Sequence, residues 1–370
     1  MTLAIPGRPG AARWLSAIAP LPSRVGAADD RTRADAALRR MRSGESLLYG
    51  GDFHNARQLL AALGRRLAPR PDARLAPGEA FLRERARREE AQAVLHRLLV
   101  PVLPGWRIPL PRAPDAALAL AEALGPPPEE EGLLPLREVL GAIGAHEWRR
   151  RGVLVPALGA RVHPHHGVFA PVRSEYADLV AAELAGRDLS GKVAFDVGTG
   201  TGVLAFLAAR RGARVVATDS EPRAVACARE NAERLGLGDR VEVLLADLFP
   251  EGRADLVISN PPWIPAEPQG PLDRAVYDPG SRFLSRLVEG LPAHLLPKGE
   301  ALLVVSDLAE RLGLRPASFL PEAFAAAGLA VAGRRTAAAR HPRSSDPGDP
   351  LHSARAGEVT TLHVLRIRSP

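Results

Sequence analysis

Side chains suited to binding or catalysis cluster in the second half of the chain, and the most unusual of them read VISNPPWIP over positions 257–265. An apolar run ends on Asn260, and Pro261 and Pro262 follow at once. Proline lacks a backbone N–H and cannot extend a sheet ladder, so this spacing predicts a strand that stops here. The stop leaves two carbonyl acceptors side by side, the amide oxygen of Asn260 and the backbone oxygen of Pro261, with no competing donor from either proline. Trp263 adds a flat face on which a planar group could stack. Such a set would grip a planar nitrogen by both of its N–H bonds. Taken alone, the same letters also describe a proline-rich strand exit with Trp263 in the core.

Upstream, FDVGTGTGVLAF (195–206) places Gly198, Gly200 and Gly202 between a predicted strand and a predicted helix. Glycines there permit a tight turn and let a ligand approach backbone N–H groups. The spacing is G-x-G-x-G, not the G-x-G-x-x-G of dinucleotide sites. Three acids stand around this turn. Asp196 precedes the glycines. Asp219 ends the second strand, where it could accept from two ribose hydroxyls, and Asp247 ends the third, where it could accept from an adenine amine. Each alone could be a helix cap or a solvated turn acid. Together they point to a ligand at the carboxyl ends of the strands.

In this order, VAFDVGTGTG, ATDSEPRAV, LLADLF and ADLVISNPPW resemble class I S-adenosylmethionine-dependent methyltransferases, over residues 165–365. The resemblance implies an α/β, Rossmann-like, seven-stranded domain whose last strand is antiparallel, with S-adenosylmethionine as cofactor. The cofactor-contacting residues it implies are Asp196, Gly198, Thr199, Gly200, Gly202, Asp219, Ser220, Asp247, Leu248 and Asn260. Methyl transfer from a sulfonium is an in-line displacement to which a protein contributes mainly position and electrostatics. Amide and conjugated amine nitrogens are hard acceptors because their lone pair is delocalised. Two acceptors on the two N–H bonds would aim that lone pair, a role for Asn260 and Pro261, with Pro262 and Trp263 completing the catalytic set. No strong base is needed, because methylation itself makes the proton acidic. In the family, Asn-Pro-Pro followed by an aromatic residue marks enzymes that methylate protein glutamine, adenine or guanine amino groups. A nicotinamide dehydrogenase fits neither the glycine spacing nor the asparagine–proline motif.

Two further stretches bear on the acceptor. AVYDPGSRFL (275–284) resembles the segment that follows Asn-Pro-Pro-Tyr in glutamine N5-methyltransferases of peptide release factors. GVFAPVRSEYADLV (167–180) resembles the segment that closes over the cofactor in those enzymes and in the related small-domain ribosomal RNA guanine methyltransferases. The substrate-pocket candidates are therefore Phe169, Pro171, Trp263 and Tyr277. The chain departs from the glutamine enzymes by Trp263 in place of tyrosine, and LLYGGDFHNARQLL (47–60) has no match in their substrate-recognition domain. The preferred acceptor is a protein glutamine amide; the alternatives are an RNA or DNA base, a small metabolite, or a catalytically silent fold that only binds a partner.

Other signals are weaker. HPHH puts His163 and His165 on one face of a strand, a possible metal pair, but no cysteine or nearby acid completes a site and no metal is expected. EWRRRG and GRRTAAARHPR could contact phosphates, or could be solvated faces. Tyr49, Asp52, Phe53 and Asn55 form a polar–aromatic group that reads as a capped helix entry or a recognition patch.

These residues need elements to hold them. After Gly191, apolar strands alternate with helices, which predicts a parallel sheet covered on both faces. The last two strands, with no helix between them, should pair antiparallel at its edge. Residues 1–28, interrupted by proline and arginine, are expected to be disordered; 29–132 to form a mainly helical substrate-recognition domain with PPPEEEG (126–132) as a linker; 133–172 to supply a connecting helix and β-hairpin; and 173–370 to be the catalytic domain. The 370 residues carry net charge +7. Arginine supplies nearly all the positive charge, since lysine occurs only at Lys192 and Lys298, so a composition bias explains the charge as well as a basic surface does. One cysteine, Cys227, excludes an internal disulfide and suits a reducing cytoplasm. Nothing reads as a membrane span.

Overall fold

The computed structural model describes residues 2–4, 10–68, 75–340, 346 and 348–368. The chain divides into two compact units, Met1–Arg70 with Leu82–Glu147, and Pro71–Phe81 with Trp148–Pro370.

The first unit has more helix than strand, yet it is not helical alone. It is built on a six-stranded sheet of β1 (Thr2–Ala4), β2 (Ala11–Trp14), β3 (Val25–Ala28), β4 (Ser46–Tyr49), β5 (Leu98–Val102) and β6 (Gly132–Pro135), in the order β1-β2-β6-β5-β4-β3. β3, β4 and β5 run parallel, and β6 lies antiparallel to β5. The expected disorder before Ala28 is thus replaced by three strands, with residues 1 and 5–9 outside the described set. The physical reason is length. Strands of three to five residues, such as LLVPV with every residue buried, show no period-2 alternation and read as helix ends. The helix Pro77–Leu95 accordingly stops before β5, and Pro101 lies within that strand. PPPEEEG is no domain linker, because Gly132 opens a buried strand of this sheet. Nor does a separate connecting segment begin at residue 133. β6 and most of the helix Leu136–Arg151 belong to the first unit.

The second unit includes a two-stranded antiparallel hairpin, β7 (Val153–Val155) and β8 (Ala160–Val162). Its seven-stranded sheet comprises β9 (Val193–Val197), β10 (Arg214–Asp219), β11 (Val241–Leu245), β12 (Ala254–Ser259), β13 (Leu295–Ser306), β14 (Leu329–Ala338) and β15 (Val359–Ile367). The order β11-β10-β9-β12-β13-β15-β14 makes this an α/β, Rossmann-like, largely parallel sheet. The antiparallel pair at the edge is as expected, although a one-turn helix, His352–Arg355, lies between its strands and β15 sits inside β14. Apolar residues cover both faces, with Phe206, Ile258 and Val304 on one and Val257, Leu284 and Leu303 on the other. The chain moves outward from β9 to β11, then returns to place β12 on the other side of β9. This reversal opens a crevice at the carboxyl ends of β9 and β12, where ligands bind in such sheets. Among the described residues no helix is long and apolar enough to cross a membrane.

Candidate active site

Sheet register brings the three main signals into one row. Val197 pairs with Thr218 on one side and Ser259 on the other, so Asp219, Gly198 and Asn260 are the next residues on three adjacent strands. The glycine turn is braced from below. Asp196, 1% exposed, accepts at Oδ2 from Thr199 Oγ1 at 2.7 Å and from Ala205 N at 2.9 Å. Its other oxygen is buried with no donor among the described residues. Burial pushes this carboxyl up to about 7, against the pull of the Thr199 and Ala205 hydrogen bonds. Thr199 therefore turns its hydroxyl inward, onto Asp196. Gly198, Gly200 and Gly202 all have positive φ. At Gly202 a Cβ would stand 2.2 Å from the Phe206 ring, which explains the third glycine as a packing requirement of the following helix.

Asp219 accepts from Gly200 N at 2.9 Å and from Glu221 N at 3.0 Å, one bond to each oxygen. Each oxygen keeps a further lone pair. Burial raises its pKa, and the amides of Glu221 and Gly200 oppose the rise. Ser220 is exposed beside it. The third strand-end acid behaves otherwise. Asp247 is exposed and pairs with Arg286 at 2.8 Å. Leu248, at φ 74, buries its side chain in the core, and its carbonyl accepts from Thr218 Oγ1.

At the end of β12, Asn260 Oδ1 is buried with no donor among the described residues. Pro261 is buried and Pro262 half-buried. Trp263 is more tightly held than a stacking platform would be. Its Nε1 donates to Val304 O at 3.3 Å, its backbone N to Val276 O at 3.1 Å, and the Arg173 guanidinium lies over one ring face. Tyr277 joins the same neighbourhood through a bridge to Ile264, with its ring 6.4 Å from that of Phe81. Next to it, Asp278 is a helix cap, accepting from Phe283 N and Leu284 N at 2.9 and 3.0 Å. Phe169 is half-buried and Pro171 buried, while Val168, just before them, is packed with Ala224 and Cys227.

One residue that sequence reasoning missed ties this segment to the turn. Asn231, 1% exposed, accepts from His163 N at 2.7 Å and donates to Thr201 O at 3.2 Å. An asparagine inside a helical pattern carries no signal of such a bridge, because its partners lie far away in sequence. The histidines also have protein partners. His163 Nδ1 donates to Arg149 O at 2.6 Å and His165 Nε2 to Glu230 at 2.7 Å. Burial opposes ionisation of Glu230, yet Arg234, His165 and Arg149 hold it down to about 2. Among the described residues no group of three or more His, Cys, Asp or Glu could hold a metal ion. The basic stretches are partly used within the fold, Arg149 on Glu230, Arg335 on Glu183 and Arg340 on Asp178, while His341 to Arg343 lie outside the described residues.

Residues 159–326 match the methyltransferase small domain. A release factor glutamine methyltransferase from Cereibacter sphaeroides is 40% identical over 151 residues, 34% of this chain and 54% of that protein. A ribosomal protein L11 methyltransferase from Pelotomaculum thermopropionicum is 53% identical over 73 residues, 19% and 24% of the two chains. The chain thus spans about half or less of the length of these curated relatives. A solved ribosomal protein L11 methylase from Lactobacillus delbrueckii subsp. bulgaricus, 21% identical, aligns with TM-score 0.37 over 54% of this chain and 82% of that one. Residues 159–326, all in the second unit, are thus similar to the methyltransferase small domain, and the curated relatives are themselves methyltransferases.

Proposed function

We propose that the second unit transfers a methyl group from S-adenosylmethionine to a planar amide nitrogen, with the side-chain amide of a protein glutamine as the preferred acceptor. The observation that carries this reading is Asn260 Oδ1, a buried acceptor with no donor among the described residues, one residue beyond the Ser259–Val197 pair at the sheet's reversal. Leaving such an atom unpaired costs about 1–3 kcal/mol, a cost that a bound N–H donor would offset. The cofactor, when bound, supplies an electrophilic methyl group on a sulfonium. The chain's own residues do the rest. Asn260 Oδ1 and the Pro261 carbonyl accept the two N–H bonds of the acceptor amide and set its lone pair toward the methyl group. They also stabilise positive charge as the N–C bond forms and the S–C bond breaks. The proton then leaves to water, without a dedicated base. Asp219 offers its remaining lone pairs to the ribose hydroxyls, and Gly200, where an added Cβ would meet nothing within 4 Å, leaves room beside the turn. Asp247, paired with Arg286, is not assigned a part.

The glutamine acceptor is supported by the name of the relative that is 40% identical, and a protein acceptor also by the ribosomal protein L11 relatives. Calorimetric titration with S-adenosylmethionine tests the donor side; absence of binding overturns the reading. Transfer of tritiated methyl into a peptide release factor, protein L11, total RNA and small-molecule fractions tests the acceptor. Label on a release-factor glutamine is expected, and label confined to RNA or small molecules overturns the glutamine assignment.

A further inference from the structure

Trp263 is gripped by polar groups that the transfer described above does not use. The Arg173 guanidinium carbon lies 5.7 Å from the centre of the Trp263 ring. The same guanidinium donates to Glu175 Oε1 at 2.5 Å and to Glu358 Oε1 at 3.2 Å. Both carboxylates are buried, at 1% and 3% exposure. Glu358 Oε1 also accepts from Ser306 Oγ at 2.8 Å, at the end of β13. The second oxygen of Glu175 is buried with no donor among the described residues. Arg173 thus joins the 167–173 segment to β13, to the start of β15 and to the residue that ends the Asn-Pro-Pro motif.

Charge balance alone does not require this arrangement. Two buried carboxylates need a cation, and a lysine would serve as a point charge. A planar guanidinium can bind carboxylates along its edge and lie against an aromatic face at the same time. The indole is fixed by that contact on its face and by the Nε1 bond to Val304 O on its edge. Trp263 directly follows Pro261 and Pro262, whose φ angles are locked, so where the indole is held bears on where this short, stiff segment and its carbonyls sit. We propose that Arg173 is a positioning residue for the methyl acceptor, holding Trp263, and through it the Asn260–Pro261 acceptor pair, in the orientation that transfer needs. The inference rests on the methyltransferase reading.

The test uses the full chain labelled with 5-fluorotryptophan, with the Trp263 resonance assigned by its loss in Trp263→Phe. In Arg173→Met that resonance should shift and broaden, methyl transfer to a release factor should fall at least tenfold, and the S-adenosylmethionine Kd should stay within about threefold of the parent. Arg173→Lys, which keeps the charge, should restore the melting temperature but neither the resonance nor the transfer rate. An unmoved Trp263 resonance in folded Arg173→Met, full rescue by lysine, or a loss of cofactor affinity equal to the loss of transfer would each overturn the role. If Arg173→Met does not fold, the lysine variant decides alone. Transfer absent from the parent chain would instead overturn the proposed function, while the fluorine spectrum still reads the contact between Arg173 and Trp263.

Discussion

Both units place glycines and acids at the carboxyl end of a parallel strand, with opposite results. In the first unit, Gly50-Gly51-Asp52 follows β4, which ends on Tyr49, and leads into the helix Phe53–Leu67. There the acids are consumed by the turn itself. Asp30 Oδ1 accepts from Tyr49 Oη at 2.8 Å, Asp52 N at 3.0 Å and Asn55 Nδ2 at 3.0 Å, and Asp52 accepts from His54 N and Arg112 Nε. A Cβ on Gly51 would meet Asp30 Oδ1 at 2.5 Å, so the turn is filled by its own side chain. In the second unit, Asp196 and Asn260 each keep a buried oxygen for which the described residues supply no donor. The difference teaches that a glycine–acid turn is a capable shape, and that unmatched acceptors around it are what point to a ligand.

The sharpest way to break this contrast is Asn260→Ala. Methyl transfer should drop by about 10²–10³-fold, the scale for losing one preorganised polar group, while calorimetry finds cofactor affinity nearly unchanged. Retained turnover would remove Asn260 from the chemistry. Next in size are the glycines. Gly202→Ala should lower stability by about 2–4 kcal/mol in urea titration, because the φ of 91° is unfavourable to alanine and the Phe206 ring must move. Gly51→Ala should cost about 1–3 kcal/mol but leave cofactor affinity intact. Equal effects of the two on cofactor binding would erase the distinction between the turns.

Smaller, but diagnostic in sign, is the response to pH. Asp196 is raised to about 7, so the folded state keeps a proton that the unfolded chain gives up near pH 4. Its contribution to stability is present at low pH and is lost as pH rises through about 7. Asp30 is lowered, chiefly by the Tyr49 and Asn55 hydrogen bonds, so its contribution is present at neutral pH and is lost on acidification. Denaturation midpoints followed from about pH 5 to about pH 8 should therefore vary less in Asp196→Asn than in the parent. Tyr49→Phe should lower the melting temperature by a few degrees without flattening that neutral window. The same response in both variants would contradict the opposite signs.

What could be read beforehand follows the same physics. β9 to β13 were legible because apolar runs alternate with amphipathic helices, and the Gly198–Gly202 turn because its glycines need positive φ. The first sheet was not, because GLLP and LLVPV are too short to show a period and are buried throughout. Within the candidate site, Asn260 and Asp219 fall where expected in the row of strand ends. Asp247 and Asn231 could not be judged, since their partners Arg286 and His163 lie 39 and 68 positions away. Within the group of Tyr49, Asp52, Phe53 and Asn55, Asp52 caps the helix while Asn55 donates to Asp30.

The placement of β15 between β13 and β14 sets an order of assembly. As the chain is made, β13 and β14 emerge before the strand that pairs with both of them. Until β15 arrives, each has an unsatisfied edge, and Arg173 lacks Glu358, which follows it by 185 residues. Because the Arg173 contacts are completed by this late strand, the grip on Trp263 is among the last features to form during synthesis. A nascent chain could hold a finished glycine turn well before its aromatic wall is fixed.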